Sequence, residues 1–506
     1  MKASIAQYSR AGVDMVVSGA LFVAAASILL ATYGNYFPLI EYREIIQGEY
    51  GSAVGLPIAE QFTRFFLRLS TRQAAYHYGE AFGAVCGTNI PCLNFGFYVL
   101  PAAAIALGYL VARRLGARSP LAVAALCFFA LSPPAQNVYN WQGTLLDALA
   151  LVMILASVLA ALAIFARHVA GFVPAAVSAA LLTLLTAVAL KSKEIAFPLP
   201  AVLLLVALCD IGHYTSRFWR VVTVLPAVIY SAAFEFLYIR GGVHQRFIGG
   251  DPVANMIQIF RTFRFGYSPP SPFLLIIGGA AATSVVIVAI YASIQRWGTR
   301  ERAQIARGGM VLFVASAMFV VPCLPVAYLA TFYLYVPTMF AALAYAVLAS
   351  AITRGSKPAI IALMLPPLCA ALGYYESLRA AAEVLLAGSR NFQASFPRLA
   401  SEIQPRSDDR IVFVYERDVY NFFNYFFVCS SPGYGFKKSA YDLWRFIDAK
   451  AAAPLLNASA VSEHRCVEGT ACPDTPWTLC IRYGPRMTLI ATERRADQTR
   501  HGAEEE

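Results

Sequence analysis

Charge is scarce in this chain. Asp, Glu, Lys and Arg make up 14% of its 506 residues, where a soluble protein of this length carries about a quarter. Hydrophobic residues make up 58%. That balance excludes a soluble globular enzyme and leaves a polytopic membrane protein. No cleavable signal is evident. The first apolar run, 15–33, lacks a small-residue cleavage site and reads as a retained helix. No stripe of basic residues interleaved with aromatics occurs, so the net charge of +11 does not point to nucleic acid. No internal repeat stands out either, which counts against a transporter assembled from repeated halves.

What is present is a series of apolar runs: 15–33, 94–112, 119–138, 148–166, 170–190, 195–209, 221–239, 271–295, 308–329, 332–350 and 358–375. Most reach the ~20 residues that a membrane crossing needs. Counting all of them gives eleven spans. Alternate loops then separate by charge. Arg113, Arg114, Arg118, Arg167, Arg217, Arg220, Arg296, Arg300, Arg302, Arg307, Arg354 and Lys357 fall on the side of Lys2 and Arg10. By the positive-inside rule that side is cytoplasmic. The segment 34–93, the turn 133–143, the turn after 190, the loop 240–270 and everything past 375 are then outside. The expected location is the plasma (inner) membrane, multi-pass.

Cysteine placement agrees with this orientation. Cys127, Cys209, Cys323 and Cys369 lie in apolar runs and read as packing residues. Cys86, Cys92, Cys429, Cys466, Cys472 and Cys480 all fall in segments assigned outside, where disulfides form. Cys86 and Cys92 are close enough to pair within one loop. Pairing among the last four stays open. Charge returns after 375 and turn residues appear. Residues 1–375 thus form the membrane domain, 376–493 a small disulfide-containing α+β domain, and 494–506 a disordered tail. Within that domain Arg410 to Tyr415 reads as a strand and Ser439 to Ala452 as a helix. Gly484-Pro485 marks a hairpin between 477–483 and 487–491.

The stretch Leu190-Lys191-Ser192-Lys193-Glu194, followed by Pro198 and Pro200, places three ionisable groups at the end of a membrane helix. Such groups are costly there and usually have a role. Lysines snorkelling to the surface are the plainer alternative, but short outer loops are poor in Lys and Arg. Other outward features are Glu41 and Glu44 after the first run, Pro133-Pro134 to Trp141 and Asp147, and Thr331 to Pro337 with Tyr333 and Tyr335. Arg246, Arg261 and Arg264 lie in the loop 240–270. One carboxylate and several cations on one face suit a reaction at a lipid-borne phosphate. The carboxylate deprotonates a hydroxyl acceptor and the cations stabilise the departing phosphate.

The order of these features resembles the GT-C superfamily of polyprenyl-phosphate-sugar-dependent glycosyltransferases, above all its protein O-mannosyltransferase branch. Phe128-Phe129-Ala130-Leu131-Ser132-Pro133 through Trp141 to Asp147 is similar to that branch's "F-A-L-x-P … V-x-W-x-x-G-R-x-D" junction. Ser192-Lys193-Glu194 with Pro198 or Pro200 is similar to its "S-K-E-x-x-x-x-x-P" turn, and Tyr333-Leu334-Tyr335-Val336-Pro337 to its "R-Y-L-Y-L-P". The likeness covers roughly residues 1–350. Three departures stand out. Glu41-Tyr42 takes the place of the family's acidic pair, Phe332 that of the arginine before Tyr-Leu-Tyr, and Gln142-Gly143-Thr144 lacks the arginine before the aspartate.

The resemblance implies a glycosyltransferase moving a sugar from a polyprenyl-phosphate donor to a saccharide, lipid or protein acceptor on the outer face. Glu41 is then the general base, with Glu44 second. Lys191, Lys193, Arg246, Arg261 and Arg264 hold the donor phosphate. Trp141, Asp147, Glu194, Tyr333 and Tyr335 line the groove. A divalent metal (Mg or Mn) is compatible with this chemistry, though nothing in the sequence demands one. A transporter or flippase of lipid-linked saccharides is the rival. It predicts charges buried mid-span, and Glu235 is the main acid inside a run. A membrane scaffold whose outer domain binds a partner is the third reading.

Overall fold

A computed structural model describes residues 2–34, 60, 71–87, 89–140, 142–167, 171–209, 211, 215–240, 249–264, 300–326, 331–353, 356–402, 410–416, 460–467, 479–484 and 488–494. The helices are α1 (Lys2–Tyr33), α2 (Gln73–Cys86), α3 (Ile90–Arg114), α4 (Ser119–Leu131), α5 (Pro133–Asn140), α6 (Leu145–Phe165) and α7 (Phe172–Leu190). They continue with α8 (Leu199–Leu208), α9 (Arg217–Arg240), α10 (Pro252–Arg264), α11 (Arg300–Val320), α12 (Tyr335–Ile352) and α13 (Lys357–Glu402). Among the described residues, eight helices are long and apolar enough to cross a membrane, nine when α4 and α5 count as one bent span. The chain is a polytopic helical membrane protein. The expected run 271–295 lies outside the described residues. The run 195–209 yields only the ten-residue α8, which alone is too short for a crossing.

Hydrogen bonds sort the loops into two ends. At one end, Arg113 donates to Asp14 at 2.8 Å and the Arg118 amide to Ser350 Oγ at 2.8 Å. Thr215 N–H bonds the Phe165 carbonyl there at 3.2 Å. At the other end, Tyr33 donates to Asn140 at 3.0 Å, and the Ala74 amide donates to the Lys191 carbonyl at 2.9 Å. The basic loops thus share one end of the bundle, as their charge pattern predicts. The Thr215–Phe165 bond also returns the chain to the level where α7 began. Short α8, with its flanking residues, therefore covers the depth that α7 covers.

The breaks have local causes. Pro133 forces Ser132 into an extended conformation (φ −68°, ψ 152°), as a residue before proline must be. The axis turns by 54° between α4 and α5. Ser132 Oγ and N–H both bond the Phe129 carbonyl, at 2.7 and 3.1 Å, and the Ser132 carbonyl accepts from Gln136 N–H at 3.0 Å. The helix end is capped on both sides of the bend. α3, α6 and α12 form the buried centre, while α1 and α13 lie at the rim.

α2 is pinned to α3 in three ways. Tyr78 donates to the Gly96 carbonyl at 2.7 Å. Phe82 lies flat on Gly96, where a Cβ would meet its ring at 2.4 Å. The Cys86–Cys92 disulfide closes the connection, as the spacing predicts.

Beyond the spans, the charge returning at 376 does not end an element. α13 continues unbroken through it for 46 residues. Four strands follow: β1 (Arg410–Glu416), β2 (Ala460–Val467), β3 (Leu479–Gly484) and β4 (Thr488–Arg494). They pair in the order β2-β1-β3-β4, with β1 parallel to both neighbours and β3–β4 antiparallel. The strand at 410 and the hairpin around Gly484-Pro485 are therefore present. Cys480 is buried and disulfide-bonded. Cys429, Cys472 and the expected helix from Ser439 to Ala452 lie outside the described residues, as does the Cys466 side chain.

The two-ended sorting is open to a direct test. In a cysteine-free background, Arg114→Cys and Ser216→Cys should react with a membrane-impermeant maleimide from one side of sealed vesicles. Arg240→Cys should react only from the other side. Labelling of Arg114→Cys and Ser216→Cys from opposite sides would remove α8 as a crossing element.

A buried charge cluster at one end of the bundle

α7 ends at Leu190, and the following turn is set by its own side chains. Ser192 Oγ bonds the Val188 carbonyl at 2.7 Å, satisfying one of the last carbonyls of the helix. Lys193 is extended (φ −165°, ψ 154°), and Glu194 to Ala196 make one 3₁₀ turn. Pro198 then caps α8, with Pro200 in its first turn, where proline costs no hydrogen bond. The extended residue between two helical ones lets neighbours 193 and 194 reach different partners.

Lys193 Nζ meets Asp147 Oδ2 at 2.7 Å, with the two side chains 9% and 1% exposed. Asp147 sits in the first turn of α6, where the helix dipole favours a carboxylate. The ammonium also lies 4.6 Å from the Phe332 ring centre and 5.2 Å from that of Tyr333, a cation–π arrangement. Phe332 thus offers a ring face to this lysine. Two of the sequence segments singled out above, around Asp147 and Tyr333, converge on a third, the lysine turn.

Glu194 makes a second, wetter group. Its Oε1 accepts from Thr71 Oγ1 at 2.6 Å and from Tyr238 OH at 2.9 Å. Arg72 Nε stands 3.9 Å away, with its side chain 40% exposed. Burial alone would raise the Glu194 carboxyl. The Arg72 guanidinium, the Thr71 hydroxyl and Lys193 outweigh it and hold the group below the usual carboxylate value. Lys191 is fully buried, with Nζ 4.8 Å from the Phe234 ring centre. Burial pushes its ammonium down to about 8.

Of the residues expected to hold a phosphate, Lys191 and Lys193 therefore lie in the cluster, but Lys193 is already compensated by Asp147. The helix α10 carries Arg261 and Arg264, whose side chains are outside the described set. Glu41, Glu44, Trp141 and Arg246 also lie outside the described residues. Tyr335 is not on an open surface: it is fully buried, 5.0 Å from Phe129 between ring centres.

Sequence reasoning missed Arg72, Thr71, Tyr238 and Phe234. Arg72 sits in the segment 34–93, read for its acids and its cysteines. Tyr238 and Phe234 follow Tyr230 at four-residue steps along α9, a spacing visible in the sequence.

Among the described residues no three His, Cys, Asp or Glu side chains converge as metal ligands. The two carboxylates of the cluster, Asp147 and Glu194, are each engaged by a cation. Models of known protein families find no match in this chain, and no curated protein matches it.

Two predictions follow from the geometry. Asp147→Asn or Lys193→Met alone leaves a buried charge unpaired and should cost about 3–5 kcal/mol. The pair Asp147→Leu/Lys193→Met should recover most of that, as read by thermal unfolding in detergent. Lys191 gives a pH signature. Its folded-state pKa of about 8 lies below the ordinary 10.5, so the charged form is penalised in the fold. That penalty is complete below pH 8 and is relieved as pH climbs toward 10.5. Lys191→Met should therefore raise the Tm at pH 7, with the gain shrinking above pH 8.

Proposed function

We propose that this chain is an integral-membrane glycosyltransferase that moves a sugar from a polyprenyl-phosphate donor to an acceptor hydroxyl. In this reading the charge cluster lies at the extracytoplasmic end, the N-terminus is cytoplasmic, and the membrane is the plasma membrane. One observation carries it: Arg72, Lys191, Lys193, Asp147 and Glu194 gather at the end of the bundle opposite the basic loops. Three segments that resemble glycosyltransferase motifs supply three of the five, Asp147, Lys193 and Glu194, and one of the rings against Lys193, that of Tyr333.

The roles divide by exposure. Arg72, its side chain 40% exposed, stands 3.9 Å from Glu194 and is hydrogen-bonded to Tyr76, so its guanidinium is held at the open side of the cluster for an incoming phosphate. Lys191 adds positive charge behind it. Lys193, locked to Asp147, holds the turn and the Phe332–Tyr333 segment in place rather than binding donor directly. Glu41, with Glu44 as second choice, takes the proton from the acceptor hydroxyl. The freed oxygen attacks the anomeric carbon, with inversion. The bond from that carbon to the phosphate oxygen breaks, and its electron pair leaves on the polyprenyl phosphate, stabilised by the cations. The C-terminal strands belong to a disulfide-containing α+β domain that shapes the acceptor side. The flippase reading expects its acid mid-span; Glu235, the acid that the sequence offered for it, lies five residues from the end of α9.

The test uses purified protein in nanodiscs with a radiolabelled polyprenyl-phosphate sugar and a membrane extract as acceptor source. Glu41→Gln should lower turnover by roughly 10²–10⁴-fold, the loss typical of a general base, with donor binding unchanged. Arg72→Ala should weaken donor binding by about tenfold or more, the value of a charge-assisted hydrogen bond. Transfer at the wild-type rate by Glu41→Gln would remove Glu41 from the mechanism. Absence of any transfer by the wild type, together with movement of lipid-linked sugar across the bilayer, would replace the enzyme with the flippase.

A further inference from the structure

At the basic end of the bundle, arginines from two helices gather at one point, the end of α8. Cys209 closes that helix. Its carbonyl accepts from Arg220 Nη1 at 2.8 Å. Arg217, Arg220 and Arg307 all stand close enough to the Cys209 thiol to act on it electrostatically. Arg217 and Arg220 lie in the first turn of α9, and Arg307 comes from α11. α8 packs against both helices. Asp210, next in the chain, lies outside the described residues. Counted with the arginines, it sets one negative charge against three positive, an excess of two.

Positive charge at this end is what topology demands; its convergence on one point is not. The three arginines divide by exposure. Arg220 is buried and donates to the end of α8, where the last carbonyls carry the negative pole of the helix. It thereby offsets the one local feature that would repel an anion. Arg217 and Arg307 are exposed, and what they meet is the rim of the membrane. α9 and α11 are both long and apolar enough to cross it. Phe218, Leu225 and Ile229 form an exposed apolar face of α9 that starts one residue after Arg217. On α11, Arg307 and Val314 are exposed and seven residues apart, so they share one stripe. Leu208 is exposed at the end of α8. The Phe218–Trp219 ring pair, 5.3 Å between centres, marks the level of the interface.

Two apolar, lipid-facing surfaces thus run into the bilayer from a pair of exposed cations. An anionic phospholipid has the same plan: a phosphate at the interface and acyl chains running inward from it. We propose that the anionic headgroup of a membrane phospholipid binds between Arg217 and Arg307 at the end of α8, with its acyl chains against the exposed faces of α9 and α11. A guanidinium fork holds two phosphate oxygens at once. Two such forks on different helices grip one headgroup and tie α9 to α11 across the ten-residue α8. The site lies at the end opposite the charge cluster and is independent of the glycosyltransferase reading.

The experiment measures binding of cardiolipin and of phosphatidylcholine with the same acyl chains to the purified full chain by native mass spectrometry. Cardiolipin carries two phosphates and no positive charge; phosphatidylcholine is neutral overall. The wild type should bind phosphatidylcholine about tenfold more weakly than cardiolipin. Arg217→Gln and Arg307→Gln should each weaken cardiolipin binding about fivefold, and the double variant about 25-fold, at the value of one arginine beside an anionic lipid surface. Phosphatidylcholine should bind all three variants as it binds the wild type. The control is Arg118→Gln/Lys357→Gln, which removes two exposed cations of the same end, before α4 and at the start of α13. It should bind cardiolipin as the wild type does. A photoreactive cardiolipin should cross-link to peptides of α9 and α11 in the wild type, a readout that needs no variant. Equal weakening by the control pair would reduce the site to a general positive field and overturn it. A wild type that binds both lipids alike, or cross-links confined to other helices, would overturn it as well.

Discussion

Lys193 and Asp147 meet with almost no access to water, and much of the bundle end is arranged by that contact. Neither charge is stable there without the other. The pair therefore fixes the start of α6 against the turn after α7, two elements 46 positions apart. It also fixes the segment before α12, because Phe332 and Tyr333 close over the same ammonium. Attraction between these helices cannot come from burial of apolar surface alone, since lipid is as apolar as leucine. A polar contact with one satisfactory geometry supplies the specificity that apolar packing in a membrane lacks.

The neighbouring Glu194 group is built differently. Its carboxylate holds two hydroxyl donors tightly and one guanidinium loosely. Tight bonds to Thr71 and Tyr238 keep the carboxylate placed whether or not Arg72 stays beside it. Adjacent residues of one turn thus meet different surroundings: 193 is sealed against Asp147, while 194 sits beside a guanidinium that is 40% exposed.

The sequence made the helices legible because the membrane demands long apolar runs, and these are hard to miss. It made the basic end legible because arginines collect there. Lys191, Lys193 and Asp147 were found for a related reason: charge inside or beside an apolar run is conspicuous. That Asp147 would neutralise Lys193 was not legible, since pairing depends on where two chain segments meet. Arg72 was hidden in a polar stretch where one arginine resembles any other. α8 showed the limit of hydropathy. The run 195–209 is apolar throughout, but a 3₁₀ turn and two prolines consume its beginning, so less helix forms than composition suggests.

α13 has a geometric consequence of its own. At 1.5 Å per residue its 46 residues extend about 69 Å. The apolar stretch Lys357–Tyr375 accounts for 19 of them. The remainder carries the chain about 40 Å farther along the same axis before it is released at Glu402. β1 begins eight residues later, at Arg410, and that tether can return at most about 28 Å. Leu386 of the helix and Leu489 of β4 share one apolar cluster, which holds the sheet beside the protruding part of the helix. That cluster is the buried core of the spans themselves, so the tether brings the strands back along α13 toward the spans instead of leaving them at its far end.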